Sequence, residues 1–199
     1  MITRIKDSYQ RYKAYKQTFK DKNKLLFYSI DFVETIIVAL FLALLIKTYI
    51  IQVSVVPTGS MIPTLIGGVD GTYNDRLFVN KFVYFFKEPE RGDIVVFKSP
   101  HQDGKDYVKR CIGVPGDTIE IKQGIVFING KELILVGVEI RKDYTFYGPE
   151  IIPEKSYFML GDNRSMSLDS RAWGFVPKKD IIGKALFTFW PMNQIRALK

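Results

Sequence analysis

Cysteine is almost missing from this chain: Cys111 is the only one in 199 residues. An internal disulfide and a cysteine-built zinc site are therefore excluded. Histidine is equally scarce. His101 stands alone, which rules out multi-histidine metal motifs such as H-E-x-x-H. It lies in the polar stretch SPHQDGKD, which has the composition of a solvated loop tip rather than of a catalytic triad. There is no Walker A loop, no G-x-G-x-x-G, no internal repeat and no low-complexity segment. The chain is 47% hydrophobic and 25% charged, a balance that folds rather than staying disordered.

An excess of positive charge is nearly missing from most of the chain too. The formal net charge is +8, and residues 1–24 carry eight basic and two acidic residues. The basicity belongs to a tail, and nucleic-acid binding by the main body is not implied. After the tail the charges thin out. Thr35 to Ile46 has none, and the wider run from Phe27 to Val56 admits only Asp31, Glu34 and Lys47. A helix needs about 20 residues to cross the hydrocarbon core. The run suffices if the two acids sit at one headgroup boundary and Lys47 extends to the other. Tyr28 and Tyr49 stand near its ends, as interfacial aromatics do. A buried helix of a soluble domain is the competing reading. A cleavable signal peptide fits less well, because the basic region is long and no small-x-small site follows. The expected division is a basic tail at 1–26, one transmembrane helix at 27–52 and a folded body at 53–199. Positive-inside bias puts the tail in the cytoplasm and the body outside.

The body has the pattern of short strands. RLFVNKFVYFF (76–86), GDIVVFKSP (92–100), DYVKRCIGVPGD (106–117), SYFMLGDN (156–163) and IIGKALFTFW (181–190) are β-branched and aromatic runs with turn signals between them. TIEIKQGIVFINGK (118–131) alternates around Gly124 and turns at Asn129-Gly130, a strong hairpin signal. No amphipathic helix appears after residue 56. The fold class expected is mainly β: a partly closed, β-rich domain of short mixed strands behind one transmembrane helix. Residues 132–155 look like a small excursion. Of the aromatics Phe82, Tyr84, Phe85 and Phe86, half are expected in the core, and the rest are candidates to meet lipid headgroups.

Two stretches carry chemistry. VVPTGSMIPTL (55–65) sets Thr58 and Ser60 around Gly59, bracketed by Pro57 and Pro63, directly after the apolar run. A serine is a poor nucleophile until a base takes its proton. With histidine scarce, the other familiar base is a lysine kept neutral by burial. YVKRCIG (107–113) offers one. As a strand it puts Tyr107, Lys109 and Cys111 on one face and Val108, Arg110 and Ile112 on the other. Either Tyr107 and Cys111 wall a buried Lys109 amine, or Lys109 is wet and Val108 and Ile112 are core. Periodicity alone leaves both open and leans to the second. Cys111 has the character of a small packing residue.

PTGSMIPTL, RGDIVVF, YVKRCIGVPGD and GDNRSMSLDSRAWG occur in this order. Together they resemble the bacterial type I signal peptidase family from about residue 30 to the C-terminus. The resemblance implies a membrane-anchored serine endopeptidase that needs no cofactor. It would remove signal peptides from exported preproteins, after small residues of the Ala-x-Ala type, at the outer face of the plasma membrane. The bilayer and the secretion translocon would be its surroundings. Position by position it implies Ser60 as nucleophile and Lys109 as general base. Thr58 would help hold the oxyanion, and Ser167 would hydrogen-bond the base. Asp169 and Arg171 would form a supporting ion pair with Arg110 close by. Met61 and Tyr107 would lie beside the substrate cleft, and Gly161, Asp162, Asn163 and Arg164 would be structural. Ser165 and Met166 depart from the acidic residue and asparagine of many members. The alternative is a catalytically silent, membrane-anchored β-domain or binding module.

Overall fold

The computed structural model describes residues 6–7, 10–12, 14, 16–17, 23–68, 73–100 and 104–198. His101 and much of the basic tail lie outside them. The chain divides into two compact units, residues 1–48 and 49–199.

The first unit is dominated by helix α1, Lys24–Leu45, which continues as a π-helical turn over Ile46–Ile50. Together they make 27 residues with no residue buried. At 1.5 Å per residue that is about 40 Å, more than the hydrocarbon thickness of about 30 Å. The polar groups on this run are answered locally. Thr35 and Ser29 donate their hydroxyls to the carbonyls of Asp31 and Leu25, one turn back. Lys16 Nζ lies 3.1 Å from both Asp31 and Glu34, near the start of the run.

The second unit opens with strand β1 (Ile51–Val55), followed by β2 (Arg76–Asn80), β3 (Ile94–Lys98) and β4 (Asp106–Gly113). Next come β5 (Thr118–Lys122), β6 (Ile125–Ile128), β7 (Lys131–Glu132), β8 (Tyr147–Ile151) and β9 (Ser156–Leu160). A short helix α2 (Ser170–Trp173) precedes β10 (Val176–Pro177), β11 (Ile181–Trp190) and β12 (Arg196–Ala197). The large sheet runs β1-β2-β11-β3-β4-β9-β10, with β12 on β11. The small one runs β7-β6-β5-β8. Every ladder is antiparallel. Register shifts along β11 bend the large sheet into a curl.

Alternation explains the packing. Ile94 and Val96 of β3 join a core with Leu77, Val79 and Val108. Val95 and Phe97, on the other face, join Cys111, Tyr157 and Met159. The middle of the large sheet is thus covered on both sides, and a polar side chain placed there is deprived of water. A third cluster, around Ile119, Ile121 and Phe158, lies between β5, β6 and β9.

The expectation for 76–86 needs correction. The 76–86 run is not one strand. It ends at Asn80, whose side-chain oxygen accepts from the Phe82 and Val83 amides and starts a 3-10 turn over Val83–Phe85. Tyr84 alone of the four aromatics turns inward, with its hydroxyl 3.0 Å from Asp93. Phe82, Phe85 and Phe86 are exposed. The excursion at 132–155 contributes β8 to the small sheet.

Candidate active site

The nucleophile candidate is fixed from below. Residues Gly59–Met61 form a 3-10 turn with Thr58 extended before it. Met61 and Leu65 are wholly buried with Val56 in the core, and Leu65 N donates to Met61 O at 2.9 Å. Apolar side chains on both sides of Ser60 therefore anchor the turn. From above, Asn163 holds it: its amide donates to Ser60 O at 3.0 Å, and its Nδ2 donates to Gly59 O at 3.1 Å. Ser60 itself is 5% exposed.

Lys109 projects from β4 opposite Val95, on the face that also carries Tyr107 and Cys111. It is 4% exposed, and its Nζ lies 2.6 Å from Ser60 Oγ. Thr58 Oγ1 is 3.2 Å from the same oxygen. Lys109 forms no ion pair among the described residues. Loss of hydration outweighs the attraction of Asp169 and Asp162 and pushes its pKa down from 10.5 to about 8. A substantial fraction of this amine is thus neutral near pH 8, with a lone pair facing a hydroxyl. Burial acts in the opposite sense on Cys111, raising its thiol and removing it as a nucleophile.

The other face of β4 settles its cation differently. Arg110 is wholly buried and meets Asp162 through two bonds of 2.8 and 2.6 Å. Thr64 donates to Asp162 at 2.5 Å, and Gly92 O accepts from Arg110 at 2.7 Å. Both faces of the strand are therefore buried, so both alternatives left open by periodicity hold in part: Val108 and Ile112 are core, and so is the Lys109 amine.

The last motif closes over the turn. Asp169 pairs with Arg171 through bonds of 2.8 and 2.9 Å, and its Oδ2 accepts from Gly161 N at 3.1 Å. Arg164 Nε donates to Gly161 O at 3.0 Å. Gly161 cannot be anything larger. A Cβ there would lie 2.5 Å from Ser60 O and 2.3 Å from Ser167 Oγ.

The structure brings Thr58, Ser60, Lys109, Ser167, Asp169 and Arg171 into one region. Met61 is 0% exposed and anchors the turn in the core. Apolar spacing with Val56 and Leu65 is the reason. Tyr107 packs on Trp173 at 5.4 Å between ring centroids and lies 5.9 Å from the Lys109 amine, so it walls the amine. Ser167 Oγ is buried without a hydrogen-bond partner among the described residues. Arg110 answers to Asp162 rather than to the Asp169–Arg171 pair. Sequence reasoning treated Asn163 only as structural. A buried amide directly after a strand and a buried Asp was the available signal for a residue that grips a neighbouring backbone. Among the described residues, no group of three or more His, Cys, Asp or Glu is gathered as metal ligands would be.

Known proteins resemble this chain over most of its length. Residues 29–190 match the model of a family described as signal peptidase, peptidase S26. A signal peptidase I of Leptolyngbya laminosa is 40% identical over 174 residues, covering 83% of this chain and 82% of that protein. A signal peptidase I of Bacillus licheniformis is 40% identical over 179 residues, covering 83% and 91%. Signal peptidase I S of Bacillus subtilis is 39% identical over 178 residues, covering 84% and 92%. A crystal structure of a signal peptidase I from Enterococcus faecalis is 35% identical. It covers 49% of this chain and 97% of its own, with a TM-score of 0.43.

Proposed function

Since this chain belongs to the signal peptidase family, peptidase S26, and removes signal peptides from preproteins, we propose that Ser60 and Lys109 make the cut as nucleophile and general base. The 2.6 Å contact between a buried, unpaired amine and a buried hydroxyl carries this reading. As Ser60 Oγ attacks the scissile carbonyl carbon, its proton passes to neutral Lys109. The new C–O bond leaves a negative oxygen, held by the Ser60 amide and the Thr58 hydroxyl. Collapse breaks the C–N bond, and Lys109 returns its proton to the leaving amine. A water then gives a proton to Lys109 and attacks the acyl carbon; as the bond to Ser60 Oγ breaks, Lys109 passes that proton to the serine oxygen, and both residues return to their starting state. Small residues at the first and third positions before the bond are selected by exclusion of larger ones.

In this reading residues 1–26 are cytoplasmic, residues 27–52 cross the plasma membrane, and the body from 53 onward works outside, on preproteins leaving the translocon. Ser60 follows Ile50, where the helical run ends, by ten residues in sequence. A nucleophile tethered near the bilayer meets the cleavage site of a membrane-held signal peptide at high effective concentration. The exposed rings of Phe82, Phe85 and Phe86, with Phe82 against both of the others, rest among the headgroups. Full-length Phe85→Trp in vesicles should be quenched by brominated lipid beyond the wild-type level. No added quenching removes this contact.

The test of the chemistry is cleavage of a preprotein with an Ala-x-Ala site by detergent-solubilised wild type, Ser60→Ala and Lys109→Met. Wild type cuts after the last Ala, and both variants are folded and inactive. Full activity in either variant overturns the assignment.

A further inference from the structure

The small sheet lies outside the Ser60–Lys109 contact, yet the segment 141–145 leading into it is tied to the catalytic motif at several points. Arg141 N donates to Asp162 O, and Arg164 N donates to Arg141 O, both at 2.9 Å, making a parallel bridge between Arg141 and Asn163. Arg171 Nη1 pairs with Asp143 Oδ2, each side chain 12% exposed. The same nitrogen donates to Thr145 Oγ1 at 3.1 Å. The segment's other side rests on the turn between β5 and β6. Gly124 N donates to Thr145 O at 3.0 Å, and a Cβ on Gly124 would lie 2.0 Å from Asp143 O. With φ at +76°, that position takes glycine for two reasons at once.

Arg171 consequently serves two carboxylates. Asp169, at the start of α2, takes two bonds, and Asp143 takes the other side of the guanidinium. Asp169 is also the strongest of the charges acting on the Lys109 amine, ahead of Asp162. The groups around that amine are few: Ser60 from the 3-10 turn, the Tyr107 ring of β4, Asp169 backed by Arg171, and Asp162 already paired with Arg110. Any change in how completely Arg171 neutralises Asp169 reaches the base. Burial works to raise the Asp143 carboxyl, but the bonds from Thr145 and the Arg171 charge outweigh it and hold the group below the usual carboxylate range. Asp143 is therefore charged whenever the enzyme works.

We propose that Asp143 is a positioning residue for cleavage: by sharing Arg171 with Asp169 it sets the negative field at Lys109 and fixes the 161–171 segment over Ser60. This rests on the Ser60–Lys109 reading. The small sheet is then a working part of the site, because it holds Asp143 in place. The sign follows from the charges. Removing the Asp143 charge leaves Arg171 to neutralise Asp169 alone, the protonated amine loses support, and Lys109 gives up its proton at lower pH.

The test is the pH–rate profile of preprotein cleavage by the full chain in detergent, for wild type, Asp143→Asn, Asp143→Glu, Thr145→Val, Ser60→Ala and Lys109→Met. Asp143→Asn should lower the limiting rate about tenfold and move the midpoint down by about half a pH unit. Asp143→Glu should restore the midpoint. An unchanged midpoint in Asp143→Asn, with activity lost only in step with thermal stability, overturns the proposal and leaves Asp143 a structural link. If Asp143→Asn does not fold, Thr145→Val decides, because loosening the carboxylate should shift the midpoint the same way by a smaller amount. A fixed midpoint there also overturns it. Activity surviving in Ser60→Ala or Lys109→Met defeats the Ser–Lys reading instead, whatever Asp143 does.

Discussion

The two faces of β4 carry adjacent buried cations in different surroundings. Arg110 meets a carboxylate through two bonds and a carbonyl through a third. Lys109 meets a hydroxyl. The paired cation ties β4 to the last motif. The unpaired one is pushed toward neutrality and becomes able to take a proton. Burial is common to both, so the partner decides which cation is scaffold and which is base. The drop from 10.5 to about 8 at Lys109 corresponds to roughly 3 kcal/mol of differential interaction between its protonation states. Burying one or two Val, Leu or Ile side chains returns about as much, and the flanking clusters contain many more. The fold can therefore carry an unpaired lysine in its middle.

Removing each cation's character should break this contrast in opposite directions. Lys109→Met is expected to lower cleavage by about 10³-fold or more, the scale of a lost acid–base group. It should also stabilise the chain at neutral pH, by up to about 3 kcal/mol. Below about pH 8 both folded and unfolded wild type hold the proton, and the folded state bears the full cost. Between about 8 and 10.5 the unfolded state binds more protons, so wild-type stability rises with pH. The advantage of Lys109→Met should shrink across that window. Unfolding in detergent at several pH values measures it. Asp162→Asn should act in the reverse sense and destabilise by about 3–5 kcal/mol, since it breaks a buried ion pair by removing one charge. A variant as stable as wild type would show that Arg110 does not depend on its partner.

A smaller effect probes geometry rather than charge. Gly161→Ala places a Cβ against Ser60 O and Ser167 Oγ. Displacing the turn by about 1 Å should cost on the order of 10²-fold in kcat, with stability reduced less. Retained kcat would mean that the turn moves freely. The smallest expected effect is at Ser167. Its hydroxyl is buried without a partner, so Ser167→Ala should change stability by no more than about 1 kcal/mol, in the stabilising direction. A large loss of kcat without loss of stability would show that this hydroxyl reaches Lys109 during turnover.

Much of the strand order was legible because turn chemistry is local. Gln123-Gly124 and Asn129-Gly130 both have positive φ and join β5 to β6 and β6 to β7. Strand ends set by a side chain were not legible. Asn80 stops β2 within an aromatic run that otherwise favours extension. The face of Lys109 could not be settled by alternation, because alternation identifies a wet face only where one exists, and β4 has none. Order of motifs, not periodicity, pointed to Ser60 and Lys109. The core role of Met61 was legible in its apolar spacing with Val56 and Leu65. Asp143 was invisible because it meets Arg171 across 28 positions of sequence, through a loop with no strand pattern of its own.

The central claim is that Lys109 loses its proton near working pH because it is buried without a counter-ion. The most direct measurement is an NMR pH titration of the Lys109 side chain in the full chain in detergent, with its signal assigned by its absence in Lys109→Met. The account predicts a midpoint near pH 8, well below every exposed lysine. A midpoint above pH 10, together with the ordinary lysines, would contradict it and leave Ser60 without its base.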